Sequence, residues 1–314
     1  LALQRCGLLR LKILITGKNG QLGYELANKF STAHDVIALD RRELDLSQPD
    51  QIVKTVRSIK PDLILNAAAY TAVDLAEKEA DLAVAINGIA PGVLAEEANR
   101  LDVPIVHYST DYVFDGSATK PYIETDPVAP LGVYGKSKLA GEIAVASIAR
   151  HHLVLRVSWL YGNRRQNFML TMLRLMRERE NLSVVDDQIG SPTWVRLVAD
   201  TTQRALNFEA DKAEITIADG LYHIAAGGVT SWHGFASAIL ASTQDSARRV
   251  ENIRAISTRE YPTPAKRPAY SALNCAKVEA ALRIKMPSWD SQLLACITEQ
   301  QGEKQDEQHR PMVR

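Results

Sequence analysis

Residues 12–23 read KILITGKNGQLG, and the helical pattern QLGYELANKF follows over 21–30. The apolar run KILIT does not alternate with polar residues, so it reads as a strand buried on both faces. It stops at Thr16 and gives way to glycines at 17, 20 and 23. Gly17 allows a sharp turn out of the strand. Gly20 lets the backbone approach a pyrophosphate lying on the helix N-terminus, where free N–H groups point outward. Gly23 lets helix and strand pack closely. Three glycines in a turn can also be only a turn. Their place between a first strand and a first helix makes them a dinucleotide-binding fingerprint. Asn19, Gln21 and Leu22 lie in the same loop and join Gly17, Gly20 and Gly23 as candidate cofactor-binding residues.

The same rhythm continues outward. DVIAL (35–39), DLILN (62–66), PIVHY (104–108) and LVLRVSW (153–159) are further apolar runs. Helical stretches such as PDQIVKTVRSIK and APGVLAEEANRLD separate them. Strands alternating with helices imply βαβ units and a parallel sheet. With right-handed crossovers this is an α/β fold, a doubly wound (Rossmann) sheet. After Trp159 the pattern changes. NFMLTMLRLMRERE (167–180), VRLVADTTQRALNF, SWHGFASAILAST and NCAKVEAALRI read as helices, with a short strand LYHIAA and a Pro-rich connector YPTPAKRPAY (261–270) between them. They imply a smaller C-terminal α/β substrate domain over the sheet's C-terminal edge. The expected division is 11–160 for the nucleotide-binding domain, with about 194–220 returning to it, and 161–193 plus 221–300 for the substrate domain. Residues 1–10 and 301–314 are expected to be flexible ends.

The chain has 314 residues, 46% hydrophobic and 24% charged, which is ordinary for one large globular domain or two. Lys+Arg and Asp+Glu both number 37, so no basic excess points to nucleic acid. Cys6, Cys275 and Cys296 are scattered, odd in number and without a C-x-x-C pair. They imply reduced thiols in a cytoplasmic protein rather than a disulfide framework or a zinc site, and no metal-ligand set is read. No apolar run is long enough to span a membrane. The opening LALQRCGLLRLKILITG is interrupted by Arg5, Arg10 and Lys12 and lacks a cleavage site, so it does not read as a signal sequence.

Two further stretches bear on the cofactor. The second strand ends at Asp40, where a carboxylate can accept hydrogen bonds from an adenosine ribose. Arg41 and Arg42 follow and can hold a 2′-phosphate instead, so NADH and NADPH both stay open. A solvated charged loop is the plainer alternative. Asp45 and Leu46 stand where the chain can edge the adenine. Ala67, Ala68 and Ala69 permit close cofactor approach, or simply tight helix–sheet packing.

Tyr134 and Lys138 are spaced i, i+4 and share a face if their segment is helical. A phenol near pKa 10 is a poor proton relay at neutral pH. A neighbouring ammonium is expected to lower it. The pair then forms a general acid/base suited to carbonyl/alcohol interconversion, and the lysine can also hold the nicotinamide ribose. Thr110 ends the strand begun by PIVHY and faces the ligand crevice, where its hydroxyl can orient a substrate carbonyl. Capping of a strand–loop junction is its plainer role. Together Thr110, Tyr134 and Lys138 are the candidate catalytic residues.

These features resemble the extended short-chain dehydrogenase/reductase superfamily. Within it, NAAAYTAVDLAE, HYSTDYVFDG, ETDPVAPLGVYGKSKLAGE, LRVSWLYG, DDQIGSPT and the YPTPAKRP segment resemble the dTDP-4-dehydrorhamnose reductase family over residues 12–290. The resemblance implies reduction of the C4 ketone of dTDP-6-deoxy-L-lyxo-4-hexulose by NADPH or NADH, giving dTDP-L-rhamnose. It implies sugar-nucleotide contacts at Thr71, Ala72, Val73 and Trp159, and substrate-domain roles for Asn167 and Arg267. It also implies a homodimer, with Mg2+ at the interface in some members. Tyr70 stands where some relatives carry histidine, and loop 162–166 departs from the pattern. Dehydratases of the superfamily place two acids after the threonine. Thr110-Asp111-Tyr112 has one. A 4-epimerase is the nearest alternative enzyme. A non-catalytic subunit like the β subunit of methionine adenosyltransferase is the alternative of another class, and loss of a catalytic residue would favour it.

Overall fold

The computed structural model describes residues 10–209, 214–243, 245 and 247–309. Its central sheet has six strands: β1 (Lys12–Thr16), β2 (Asp35–Leu39), β3 (Leu63–Asn66), β4 (Ile105–Thr110), β5 (His152–Val157) and β6 (Gly220–Ile224). Their order is β2-β1-β3-β4-β5-β6, and every neighbouring pair is parallel. The chain leaves β1 for β2 on one side and returns to β3 on the other. The sheet therefore opens a crevice beyond the carboxyl ends of β1 and β3, the topological switch point. The strands β3 and β4 are buried throughout, whereas the edge strand β2 is only partly covered.

Helices cover both faces. The helix α1 (Gln21–Ser31) brings Leu22, Leu26 and Phe30 against Ile13, Ile15, Leu65 and Val106. On the opposite face, α2 (Pro49–Ile59), α3 (Ala90–Leu101) and α4 (Val133–Ile148) bring Ile52, Val56, Leu94, Ala98 and Val145 against Leu14, Ile64, Ile105 and Val154. A separate core joins α5 (Phe168–Glu178), α6 (Val195–Ala205), α7 (Trp232–Ser242) and α8 (Trp289–His309) through Met169, Met172, Val195, Phe235, Ile239 and Leu293. Beside it, Asn181–Val185 and Asn252–Ile256 pair in parallel. No helix among the described residues is long and apolar enough to cross a membrane.

The boundaries depart from the sequence division in two places. Gly220–Ile224 is the sixth strand of the main sheet, paired with β5, whereas the sequence pattern places residues 221–224 on the substrate side. Five residues do not reveal which sheet they join, because the partner lies far away in sequence. Val198 and Ala199 of α6 pack in the core with α1. Residues 301–309, expected to fray, continue α8. That stretch is rich in Glu, Gln and Lys, which favour helix without burial. Residues 1–9 and 310–314, with Cys6, lie outside the described residues. Neither Cys275 nor Cys296 is in a disulfide.

Candidate active site

The loop after β1 is shaped by close approach. Gly17 has φ +75°, and a Cβ there would stand 2.9 Å from the Cα of Ala68. A Cβ on Gly23 would stand 2.2 Å from the carbonyl oxygen of Gly17. Gly23 thus lets α1 close onto the loop itself, not only onto the strand. Gly20 precedes α1 with extended backbone and no side-chain cap, leaving the helix N–H groups to a ligand. The loop is anchored by Gly17 N–H donating to Leu39 O at 2.8 Å. Behind it the amide of Ala68 donates to Thr16 Oγ1 at 3.0 Å, which donates to Asn66 Oδ1 at 2.8 Å. Asn66 Nδ2 meets His107 Nδ1 at 3.0 Å, completing a buried polar row across β1, β3 and β4. Burial holds the His107 imidazole well below its ordinary pKa, so it is neutral. The absent Cβ atoms, the uncapped helix and the small Ala67, Ala68 and Ala69 fit a dinucleotide.

Asp40 accepts from Asn19 Nδ2 at 2.8 Å and from the Arg42 amide at 2.9 Å. The Arg42 amide is the main reason its carboxyl stays below the usual range. Arg41 reaches Asp45 at 3.7 Å, and Arg42 is exposed. Asp45 accepts from the amide and hydroxyl of Ser47, closing the turn into α2, while the Leu46 side chain is buried in the core with Leu44.

The three candidate catalytic residues come from two elements. Thr110 ends β4, and Tyr134 and Lys138 lie one turn apart in α4. Lys138 Nζ donates to the carbonyl oxygen of Tyr108 at 2.6 Å. Desolvation lowers its pKa to about 8, against a smaller upward pull from Glu142. Tyr134 moves opposite to expectation. Its pKa is pushed up to about 12, first by burial and further by the Asp111 carboxylate, while Thr110 pulls it down. The Lys138 ammonium, hydrogen-bonded to the Tyr108 carbonyl, does not offset that burial. Thr110 Oγ1 donates to Asp111 Oδ1 at 3.0 Å and accepts from the Tyr112 amide at 3.2 Å. It therefore caps its strand–loop junction as well as facing Tyr134. Burial raises the Asp111 pKa to about 6, against the pull of its bonds from Ser271, Ser158 and Thr110.

On the other side of the crevice, Thr71 and Ala72 are exposed and lead with Val73 into a short helix, Val73–Ala76. Asp74 of that helix accepts from Arg267 Nη2 at 2.9 Å and from the Ala265 amide at 3.2 Å, which brings Arg267 beside residues 71–73. Trp159 has φ +44° and stacks on Trp232 of α7, with centroids 3.5 Å apart and planes 3° from parallel. A Cβ on Gly190 would stand 2.4 Å from that indole. Asn167 caps α5, and its amide donates to Gln21 Oε1 at 3.0 Å and Gly162 O at 2.8 Å. It faces the glycine loop, and its donors are spent on the protein.

A family model described as the RmlD substrate binding domain matches residues 11–301. A Burkholderia thailandensis protein named dTDP-4-dehydrorhamnose reductase is 45% identical over 292 residues, covering 91% of this chain and 98% of its own. The chain belongs to the dTDP-4-dehydrorhamnose reductase family. A dTDP-4-dehydrorhamnose reductase from Bacillus anthracis, solved in complex with NADP, is 36% identical with a TM-score of 0.84, over 93% of this chain and 100% of that one. A UDP-glucose 4-epimerase from Thermus thermophilus, solved with NAD, has a TM-score of 0.76 at 17% identity, over 93% of this chain and 99% of that one. That likeness shows the fold alone.

In this member of the dTDP-4-dehydrorhamnose reductase family, several participants carry no role in the sequence reading. Ser158 Oγ donates to Asp111 Oδ2 at 3.0 Å, so the residue before Trp159 supports the residue after Thr110. The buried Asn87 accepts from the Tyr70 amide at 2.8 Å and donates to Ser137 Oγ at 3.1 Å, fixing the loop after β3 to α4. It lies on a π-helical turn, Ala85–Ile89, that nothing in the local pattern announces. Trp232 reads as a core residue of an amphipathic helix; only the packing of α7 on Trp159 gives it another role. Among the described residues no group of three or more His, Cys, Asp or Glu gathers to hold a metal ion.

Proposed function

We propose that this chain reduces the C4 ketone of dTDP-6-deoxy-L-lyxo-4-hexulose to dTDP-L-rhamnose with NADPH or NADH, the last step of dTDP-rhamnose formation. The observation that carries the reading is Thr110, Tyr134 and Lys138 gathered at the carboxyl end of β4, on the same sheet as the glycine cradle of β1 and two strands from it. The cradle would hold the pyrophosphate of a dinucleotide, whose reduced nicotinamide would supply a hydride. Tyr134, a protonated phenol at neutral pH, gives its proton to the C4 oxygen. Thr110 rotates its hydroxyl from Asp111 toward that oxygen and orients it. Ser158 keeps the Asp111 carboxylate partnered meanwhile. Lys138 has three N–H donors. One is given to Tyr108 O, leaving two for ribose hydroxyls. Thr71, Ala72, Val73, Trp159 and Arg267 border the sugar nucleotide. Asn167 serves by holding the glycine loop.

The family resemblance extends the reading to a homodimer, with Mg2+ at the interface in some members, though no group of three or more His, Cys, Asp or Glu gathers among the described residues to hold it. No chemical step is assigned to the ion, and sedimentation with and without a chelator tests the assembly. The test of the activity is product analysis. Supplied with dTDP-4-keto-6-deoxyglucose, a 3,5-epimerase and NADPH, the protein should yield dTDP-rhamnose. Recovery of unreduced 4-keto sugar alone would reject the reading.

A further inference from the structure

We infer that Arg164 and Arg165 bind a phosphate of the dinucleotide, so that the loop entering α5 contributes to cofactor affinity. The inference rests on the cofactor reading above and concerns residues outside the glycine fingerprint. Loop 162–167 follows the short strand Leu160–Tyr161 and runs back over the glycine loop. Three contacts hold it there. Asn167 Nδ2 donates to Gln21 Oε1 at 3.0 Å, Arg165 Nε donates to Asn19 O at 2.5 Å, and the Arg164 guanidinium lies 3.8 Å from the Tyr24 ring centroid. Between the loops lies a cavity of about 400 Å³ lined by Lys18, Asn19, Tyr24, Asn163, Arg164 and Arg165. That size suits part of a small-molecule ligand.

The lining is one-sided in charge. Three of its six residues are cations and none is an acid. Lys18 is balanced by Glu43 at 2.5 Å, outside the lining. Both arginines are exposed, and neither pairs with a carboxylate among the described residues. A guanidinium has five N–H donors in a planar fork that matches phosphate oxygens. Arg165 commits only Nε, and stacking on Tyr24 leaves the in-plane donors of Arg164 available. Arg165 also holds φ +61°, a left-handed conformation uncommon for a non-glycine residue. The chemistry recognised is a phosphate ester, and a dinucleotide offers two sources, the shared pyrophosphate and the 2′-phosphate of NADPH.

The experiment is fluorescence titration of the full chain with NADH and with NADPH, separately, comparing wild type with Arg164→Gln/Arg165→Gln. Roughly tenfold weaker binding of both dinucleotides assigns the arginines to the pyrophosphate. The same loss for NADPH alone assigns them to the 2′-phosphate. In either case Arg164→Lys/Arg165→Lys should recover part of the affinity, and the loss should shrink at high salt. Arg174→Gln, an exposed change on α5, should bind like wild type. Unchanged affinity for both dinucleotides in the double variant overturns the inference. If that variant does not fold, each single variant is titrated by the same criterion. Binding is read without turnover, so failure to make dTDP-rhamnose leaves this result standing. Failure of wild type to bind either dinucleotide removes both readings.

Discussion

To serve as the proposed proton donor to a carbonyl oxygen, Tyr134 must be a phenol, because only the protonated form has a proton to give. Burial holds its pKa up at about 12, so at neutral pH the acid is loaded without help from Lys138. Tyr134→Phe keeps the ring and removes the proton. It should cost roughly 10²–10⁴-fold in kcat, with KM little changed. A variant within a few-fold of wild type would reject the assignment. Lys138 behaves in the opposite sense. Its folded pKa, about 8, lies below the ordinary 10.5 because the buried ammonium is desolvated. The unfolded chain therefore binds more protons between those values, and this group's contribution makes stability rise with pH from about 8 to 10.5. In the folded protein the charge that the proposed ribose contact would use is lost as pH passes about 8. Dinucleotide affinity of wild type should fall as pH passes about 8, and Lys138→Met should abolish that step. A wild-type titration that is flat across this pH would remove the ribose role.

The helix that carries both residues is fixed to the sheet by one buried ion pair. Arg156 of β5 donates from Nε and Nη2 to Glu142 of α4 at 2.9 and 2.8 Å, one turn beyond Lys138. Glu142→Gln leaves a buried guanidinium uncompensated, which should cost about 3–5 kcal/mol. Glu142→Met/Arg156→Met should recover most of it, read by chemical denaturation. Equal loss in both variants would mean that packing, not charge, is what α4 needs there. The strand β5 then leads to Trp159, whose indole is half-buried against Trp232. Trp159→Ala should raise KM several-fold with little change in melting temperature. A loss near the roughly 3–5 kcal/mol of a core aromatic would instead make it structural. Strands β1, β3 and β4 were legible because both-face burial writes continuous apolar runs, and α4 because Tyr134 and Lys138 share a face. The strand β6, the Asn87 turn and the Trp159–Trp232 stack were not, because each is defined by a partner distant in sequence. The direction of the Tyr134 shift was hidden for a related reason. Spacing shows that a lysine is near, but not how deeply the phenol is buried.

Two bodies of core meet at the crevice, and polar contacts cross between them. Arg196 of α6 donates to Glu25 of α1 at 3.2 Å and to Glu299 of α8 at 2.7 Å. Asn167 reaches Gln21 beside the glycine loop. The cradle on β1 and the substrate-side residues thus share one framework, with Thr110, Tyr134 and Lys138 between them. The fold alone does not separate reduction from epimerisation, since a UDP-glucose 4-epimerase shares it at 17% identity. The two differ in what happens to the hydride. An epimerase returns it and regains its cofactor unchanged. A reductase leaves it on the sugar and releases oxidised cofactor. Family membership and Tyr134, poised as a loaded acid, favour the second. Dehydration would need a second acid beyond Asp111, and the next residue is Tyr112. Absorbance of the reduced nicotinamide should therefore fall in stoichiometric proportion to product when the epimerised 4-keto-6-deoxy sugar nucleotide is supplied. Substrate conversion with that absorbance unchanged would overturn net reduction and leave the epimerase reading in its place.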